Sequence, residues 1–244
     1  MRCQPRYEGP VYICLKNVQT CLLCDEPAEA EMPICVACET ELPWLGSHCQ
    51  RCALPLIADG LTCGACLLEP LAFAQVAAPW LYGFPVDSLI TRFKHNAKWP
   101  FGHLLADVLG QYLQHRFDED LPRPDALVPV PLARKRLRQR GFNQAAMLAR
   151  WLSESMNLPC EEQILRRVKE TDAQQDLDAR MRKHNLRNAF DLVPNAQVSG
   201  RHFALIDDVL TTGATAQALA RLLINAGAAR VDVYCLARTP KPGS

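Results

Sequence analysis

FALIDDVLTTGAT, residues 203–215, decides the fold. Phe203 to Ile206 is a short continuous apolar run, the pattern of a parallel strand covered on both faces. Asp207 and Asp208 fall at its carboxyl end, the edge where open α/β sheets bind their ligands. Val209 and Leu210 lead into Thr211, Thr212, Gly213, Ala214 and Thr215, whose small side chains leave room for backbone N–H groups to surround an anion. Gly213 supplies steric freedom, and a helix starting near Thr215 adds the positive end of its dipole. Such a turn grips a phosphate. Two adjacent carboxylates cannot help to hold a phosphate, but they accept hydrogen bonds from neighbouring sugar hydroxyls or bind a bridging Mg²⁺. The expected ligand is therefore a phosphorylated sugar.

This order of apolar run, two acids and Thr-Thr-Gly-x-Thr turn resembles, without gaps, the phosphoribosyl pyrophosphate (PRPP) signature of the type I phosphoribosyltransferases. The resemblance implies that Asp207 and Asp208 contact the ribose hydroxyls, that Thr211 through Thr215 take the 5′-phosphate, and that Mg²⁺ accompanies the PRPP.

A second pattern lies near the other end. Four CxxC pairs, Cys21/Cys24, Cys35/Cys38, Cys49/Cys52 and Cys63/Cys66, recur with each first cysteine 14 residues after the last. A CxxC turn brings two thiolates to one side of a knuckle, and two knuckles complete a tetrahedral Zn²⁺ shell. Eight cysteines thus suit two structural zinc ions. Disulfides compete with this reading, but they belong to secreted chains, and Met1 to Thr20 carries no apolar block of a signal peptide or membrane span. Redox CxxC motifs come singly in a βαβ setting, and an iron–sulfur cluster is the remaining thiolate alternative. Pairing first with second and third with fourth knuckles gives tandem ribbons; first with third and second with fourth gives a cross-braced module. Both remain open, with the sequential arrangement favoured because shorter loops cost less to close. Cys3, Cys14, Cys160 and Cys235 lack the spacing and read as spare thiols, and His48 adjoins a ligand set that is already complete.

The 244 residues, 49% hydrophobic and 22% charged, divide into an extension over 1–20, a double zinc ribbon over 21–70 and an α/β domain over 71–244. In the last, strands are expected at Phe73–Ala78, Ala126–Val130 and Val231–Leu236, the last closing the sheet. Helices are expected at Val86–Phe93, Phe101–Arg116, Asn143–Met156 and Thr215–Asn225, with Gly227 as the final stop. Their alternation predicts a doubly wound, mostly parallel sheet.

Net charge is only +1, yet the cations are concentrated. Arg134, Lys135, Arg136, Arg138 and Arg140 follow the strand exit at Val130-Pro131 as a basic loop, and a second group comprises Arg166, Arg167, Lys169, Arg180, Arg182, Lys183 and Arg187. Arginine forks match phosphate oxygens, so Arg134, Arg136, Arg138 and Arg140 suit a pyrophosphate or a nucleic-acid backbone, against the plainer reading of a solvated helix face. Phe142, Trp99 and Trp44 are candidates to stack on bases, against ordinary packing. Lys94 reads either as reaching the site or as a surface lysine. The histidines at 95, 103, 115, 184 and 202 are scattered, and no general base is evident, so the catalytic residue is unknown.

VPVPLARKRLRQRGFNQA (128–145) and RKHNLRNAF (182–190), with the Thr171, Gln175, Leu177, Arg180, Asn185, Leu186 pattern, the PRPP signature and the CxxC module, resemble the ComF family of competence and DNA-utilisation proteins from about Cys21 to Arg238. The resemblance implies a cytoplasmic protein, not inserted in a membrane, that handles single-stranded DNA and works with DNA-uptake proteins. The alternative is an active phosphoribosyltransferase of nucleotide metabolism acting on an unidentified acceptor.

Overall fold

The computed structural model describes residues 19–28, 32–96, 98–168 and 189–240. The N-terminal extension through residue 18, the basic residues from 169 to 187 and the pattern between Thr171 and Leu186 lie outside the described residues.

The elements run β1 (Gln19–Thr20), β2 (Pro27–Ala28), α1 (Val36–Thr40), α2 (Gly64–Leu68), β3 (Val76–Ala77), β4 (Trp80–Leu81), α3 (Val86–Asn96), α4 (Trp99–Glu119), β5 (Ala126–Pro129), α5 (Arg134–Arg140), α6 (Gln144–Met156), β6 (Leu165–Arg167), β7 (Phe190–Leu192), β8 (His202–Leu210), α7 (Ala214–Asn225) and β9 (Arg230–Arg238). The central sheet has the order β3-β9-β8-β5, with β4 also on β9, and all its pairings are parallel. Parallel pairing demands crossovers, which the helices between β4 and β5 and α7 between β8 and β9 provide. In the middle of the sheet buried and exposed residues do not alternate: Phe203, Ala204, Leu205 and Ile206 are all fully buried, as their unbroken apolar run requires.

Several expectations need amending. Within the strand expected at Phe73–Ala78 only Val76–Ala77 forms, as β3, and pairing with β9 resumes beyond it as β4; Pro79 between them has no N–H for the ladder, and its carbonyl accepts from Leu45 at 2.7 Å. The signature strand runs on to Leu210, so both acids stand within β8. β9 lies inside the sheet between β8 and β3 rather than at its margin. The basic loop is helical, as α5, and ends at Gly141 in the left-handed conformation (φ 80°).

The cysteine module is seated on the domain. Trp44 packs against Trp80 with ring centroids 5.8 Å apart, Leu81 N–H donates to Pro43 carbonyl at 2.8 Å, and Cys21, Ile34 and Leu42 share a core with Trp80, Phe93 and Leu104. On α4, Leu104, Leu105, Val108 and Leu109 form the buried stripe that their spacing predicts.

At the crossing of α3 and α4, Gly102 is required by space. A Cβ there would lie 2.6 Å from Phe93 Cε2 and 2.9 Å from Trp151 Cη2. Helix propensity favours alanine by about 1 kcal/mol, whereas overpacking the buried Phe93 ring and the half-buried Trp151 ring costs about 1–3 kcal/mol. Gly102→Ala is accordingly expected to lower stability, measured as the urea midpoint; an unchanged or raised midpoint would contradict this packing.

Candidate phosphate and sugar site with two metal centres

The cysteines form two compact sets. Sγ atoms of Cys21, Cys24, Cys35 and Cys38, and separately of Cys49, Cys52, Cys63 and Cys66, lie within 4.8 Å of one another. The pairing is sequential, which excludes the cross-braced module. Each set offers four thiolates in the arrangement Zn²⁺ takes in closed structural sites. Burial pushes the Cys49 thiol up, but N–H groups of Cys63, Cys52 and Arg51 directed at its sulfur outweigh this and leave it lowered to about 7. The Cys63 N–H lies 3.3 Å from Cys49 Sγ. His48 stands outside both sets, its Nδ1 2.6 Å from the Gly46 carbonyl.

At the carboxyl edge of the sheet, Thr211 and Thr212 are exposed and Gly213, Ala214 and Thr215 are half-buried. Gly213 is the N-cap of α7 with φ 74°, a left-handed conformation that favours glycine, and its carbonyl accepts from Gln217 at 2.8 Å. No backbone acceptor among the described residues takes the N–H of Thr211, Thr212 or Gly213. These free donors at the positive end of a helix are the equipment of an anion site.

Beside the turn, the acids differ. Asp207 is half-buried and accepts the Asp208 N–H on Oδ1 at 2.8 Å. Its burial, then the charge of Asp208, raises its carboxyl to about 7. Asp208 is 6% exposed, and its Oδ2 takes both Lys94 Nζ at 3.0 Å and Gln144 Nε2 at 2.8 Å. Lys94, from the last turn of α3, thus reaches the site rather than standing free on the surface.

The Arg140-Gly141-Phe142-Asn143-Gln144 element is explained residue by residue. Gly141 ends α5; Asn143 caps α6, accepting the Ala145 N–H at 3.1 Å and donating to the Val130 carbonyl at 3.1 Å; Gln144 then faces Asp208. Phe142 packs on Trp99 at 5.0 Å and on Phe93 at 5.5 Å. Two of the three aromatics considered for stacking therefore pack on each other, and Trp44 packs on Trp80. Among the basic residues of α5, Arg140 is half-buried, with burial lowering it and the charge of Asp208 raising it, while Arg134, Arg136 and Arg138 are exposed. His103 lies on the Trp151 ring and His202 Nε2 is 2.9 Å from Asp232.

One contact had no signal in the sequence. Arg238, 7% exposed at the end of β9, donates through Nη1 to the carbonyls of Leu210 at 3.0 Å and Thr211 at 2.6 Å.

The double zinc ribbon domain family matches residues 18–67, and the phosphoribosyl transferase domain family matches residues 138–243. The chain is 38% identical over 221 residues to DNA utilization protein YhgH of Salmonella typhi, covering 90% of this chain and 96% of that protein. It is 34% identical over 213 residues to Competence protein F of Haemophilus influenzae, covering 86% and 92%. To Competence protein ComFC of Bacillus subtilis it is 26% identical over 243 residues, covering 90% and 95%.

Elemental analysis of reduced protein is expected to give about two Zn²⁺ per chain, four thiolates for each ion, and a value near zero would contradict the ribbons. The Asp207 carboxyl gives a pH signature. A carboxyl raised to about 7 in the folded protein binds its proton more tightly there than in the unfolded chain, so its stabilising contribution is whole below about 3.8 and is lost as the pH rises through about 7. Asp207→Asn, which cannot ionise, is expected to have a higher urea midpoint than the parent above about pH 7, with the difference closing towards about pH 4. A difference that does not change with pH would contradict this environment.

Proposed function

The chain belongs to the ComF family, that of DNA utilization protein YhgH and Competence protein F, and from this membership we propose that it is a cytoplasmic DNA-utilisation protein with a phosphoribosyl-binding site. The observation that carries the proposal is the placement of Asp207, near the carboxyl end of β8, and of the open turn from Thr211 to Thr215, directly after that strand, on one sheet edge. Amides of the turn hold the 5′-phosphate, and Asp207 and Asp208 accept from the ribose hydroxyls. On Asp208, Lys94 and Gln144 both take Oδ2, which leaves Oδ1 as the acceptor for a hydroxyl. Val209 and Leu210 are the strand residues that join the two halves of the site.

Arg140, half-buried at the end of α5 and within the electrostatic reach of Asp208, would meet a pyrophosphate at C1 of the sugar, and Arg134, Arg136 and Arg138 extend that positive charge along the exposed face of α5. The same face suits the backbone of single-stranded DNA, whose contacts are electrostatic and independent of sequence. Mg²⁺, where PRPP brings it, has the half-buried Asp207 carboxylate as a donor, and it would offset charge on the pyrophosphate. The protein's own part is to position and neutralise. The described residues contain no helix long and apolar enough to cross a membrane. The proposed organisation is an extension to residue 20, a zinc-stapled module over 21–70 and the phosphoribosyltransferase-like domain from 71 onward.

Calorimetric titration with PRPP and Mg²⁺ tests the site. Loss of charged hydrogen bonds in Asp207→Asn/Asp208→Asn is expected to weaken binding about 10- to 100-fold. Equal affinity in parent and variant, or no binding to either, would refute it. Oligonucleotide titrations at several salt concentrations test α5: Arg138→Ala/Arg140→Ala should reduce the salt slope by about 1–2, whereas an unchanged slope would remove α5 from the DNA path.

A further inference from the structure

The buried guanidinium of Arg238 joins the second metal centre to the phosphate turn. Its Nε donates at 2.8 Å to the carbonyl of Cys52, one of the four ligands of that centre. Its Nη1 is shared among the carbonyls of Leu210, Thr211 and Thr239, at 3.0, 2.6 and 2.6 Å. Four neutral acceptors take the hydrogen bonds of Nε and Nη1 but do not balance the charge, and among the described residues no carboxylate pairs with it. A buried charge without a countercharge is costly. Four thiolates around one Zn²⁺ carry a net charge of about −2, so the occupied centre supplies what the carbonyls lack.

A second route runs from the same knuckle to the other flank of the turn. Arg51, next to Cys52, directs Nη2 at the carbonyls of Leu71 and Phe73, each at 3.4 Å. Ala72 N–H donates to Gln217 Oε1 at 2.8 Å in the first turn of α7, and Phe73 Cζ lies 3.9 Å from the Cβ position of Gly213. The knuckle of Cys49 and Cys52 is thereby tied to both the start and the end of the turn. Among the described residues, no hydrogen bond links the first centre to it.

We propose that Arg238 is a positioning residue that holds the Leu210–Thr215 turn in its phosphate-binding shape only while the second centre contains its metal. Phosphate affinity then depends on the second zinc and not on the first. The ligand part of this proposal rests on the phosphoribosyl reading of the turn, whereas the metal-to-turn link does not.

Amide hydrogen exchange of the full-length protein separates the two. In Cys66→Ser, which removes a ligand of the second centre, exchange of the Thr239 and Gln217 N–H groups, which donate to the Leu210 and Gly213 carbonyls at the two ends of the turn, should accelerate about tenfold or more, a coupling of about 1.4 kcal/mol. In Cys38→Ser, which disables only the first centre, it should not. Arg238→Lys keeps a positive charge but cannot bridge both sides, and it should accelerate the same amides with zinc content unchanged. Protection at Phe203–Ile206, in the buried part of β8, reports whether each variant has folded. Reciprocity supplies a second reading: ribose 5-phosphate should tighten zinc binding to the Cys38→Ser protein about 5- to 150-fold, measured by equilibrium competition with a chelator, and this effect should vanish when Arg238→Lys is added. Unchanged exchange of these two amides in both Cys66→Ser and Arg238→Lys, with β8 protected, would overturn the proposal. Failure of ribose 5-phosphate to bind the parent would instead defeat the phosphoribosyl reading and leave the exchange comparison to decide the link.

Discussion

The parallel register of β8 between β5 and β9 is the constraint on which the rest of the molecule depends. Phe203 to Ile206 are buried on both faces, and that burial fixes where the chain emerges with Asp207 and Asp208. Polar contacts pin the two ends of the β8/β9 pair. At one end, fully buried Asp232 accepts from Arg230 Nε at 3.1 Å and lies 2.9 Å from His202 Nε2; at the other, Arg238 holds the Leu210 and Thr211 carbonyls. A slip of one residue would exchange the faces on which Asp207 and Asp208 stand and separate Arg238 from the turn.

The acids show how a binding site and a stable fold pull in opposite directions. Two neighbouring carboxylates at a partly covered edge disfavour each other's charge. The protein answers unequally, giving Asp208 a lysine and an amide while leaving Asp207 with a raised protonation range and access to solvent. The strain is placed where a polyhydroxyl ligand or a cation could relieve it. Zinc meets a different need: of the large apolar residues in the small cysteine module only Ile34 and Leu42 are buried, and two closed tetrahedral centres replace the core that it lacks.

Much of this is legible in the sequence, and what is not has a common physical cause. The α/β alternation, the strand-acid-turn signature and the two metal sets depend on local spacing, so they can be read directly. The partners of Asp208 depend on contacts from remote elements: Gln144 is 64 positions away, and Lys94 lies on a helix two crossovers earlier. Arg238 to Cys52 spans 186 positions and leaves no periodic trace. The 134–140 segment reads as a loop because its charges obscure any apolar stripe, yet Gly141 at its end is a helix stop. Phe142 and Trp99 read as candidates either for stacking or for packing, and they pack on each other while Trp99 stays 40% exposed.

The central claim is that backbone amides behind two acids recognise a ribose bearing a phosphate, and ¹⁵N-¹H chemical shifts test it most directly. Addition of ribose 5-phosphate should move the amide resonances of Thr211, Thr212, Gly213 and Thr215 downfield, as expected for N–H groups donating to an anion, while ribose alone should leave them in place. Shifts confined to other parts of the chain, or the same response to ribose and to ribose 5-phosphate, would contradict it.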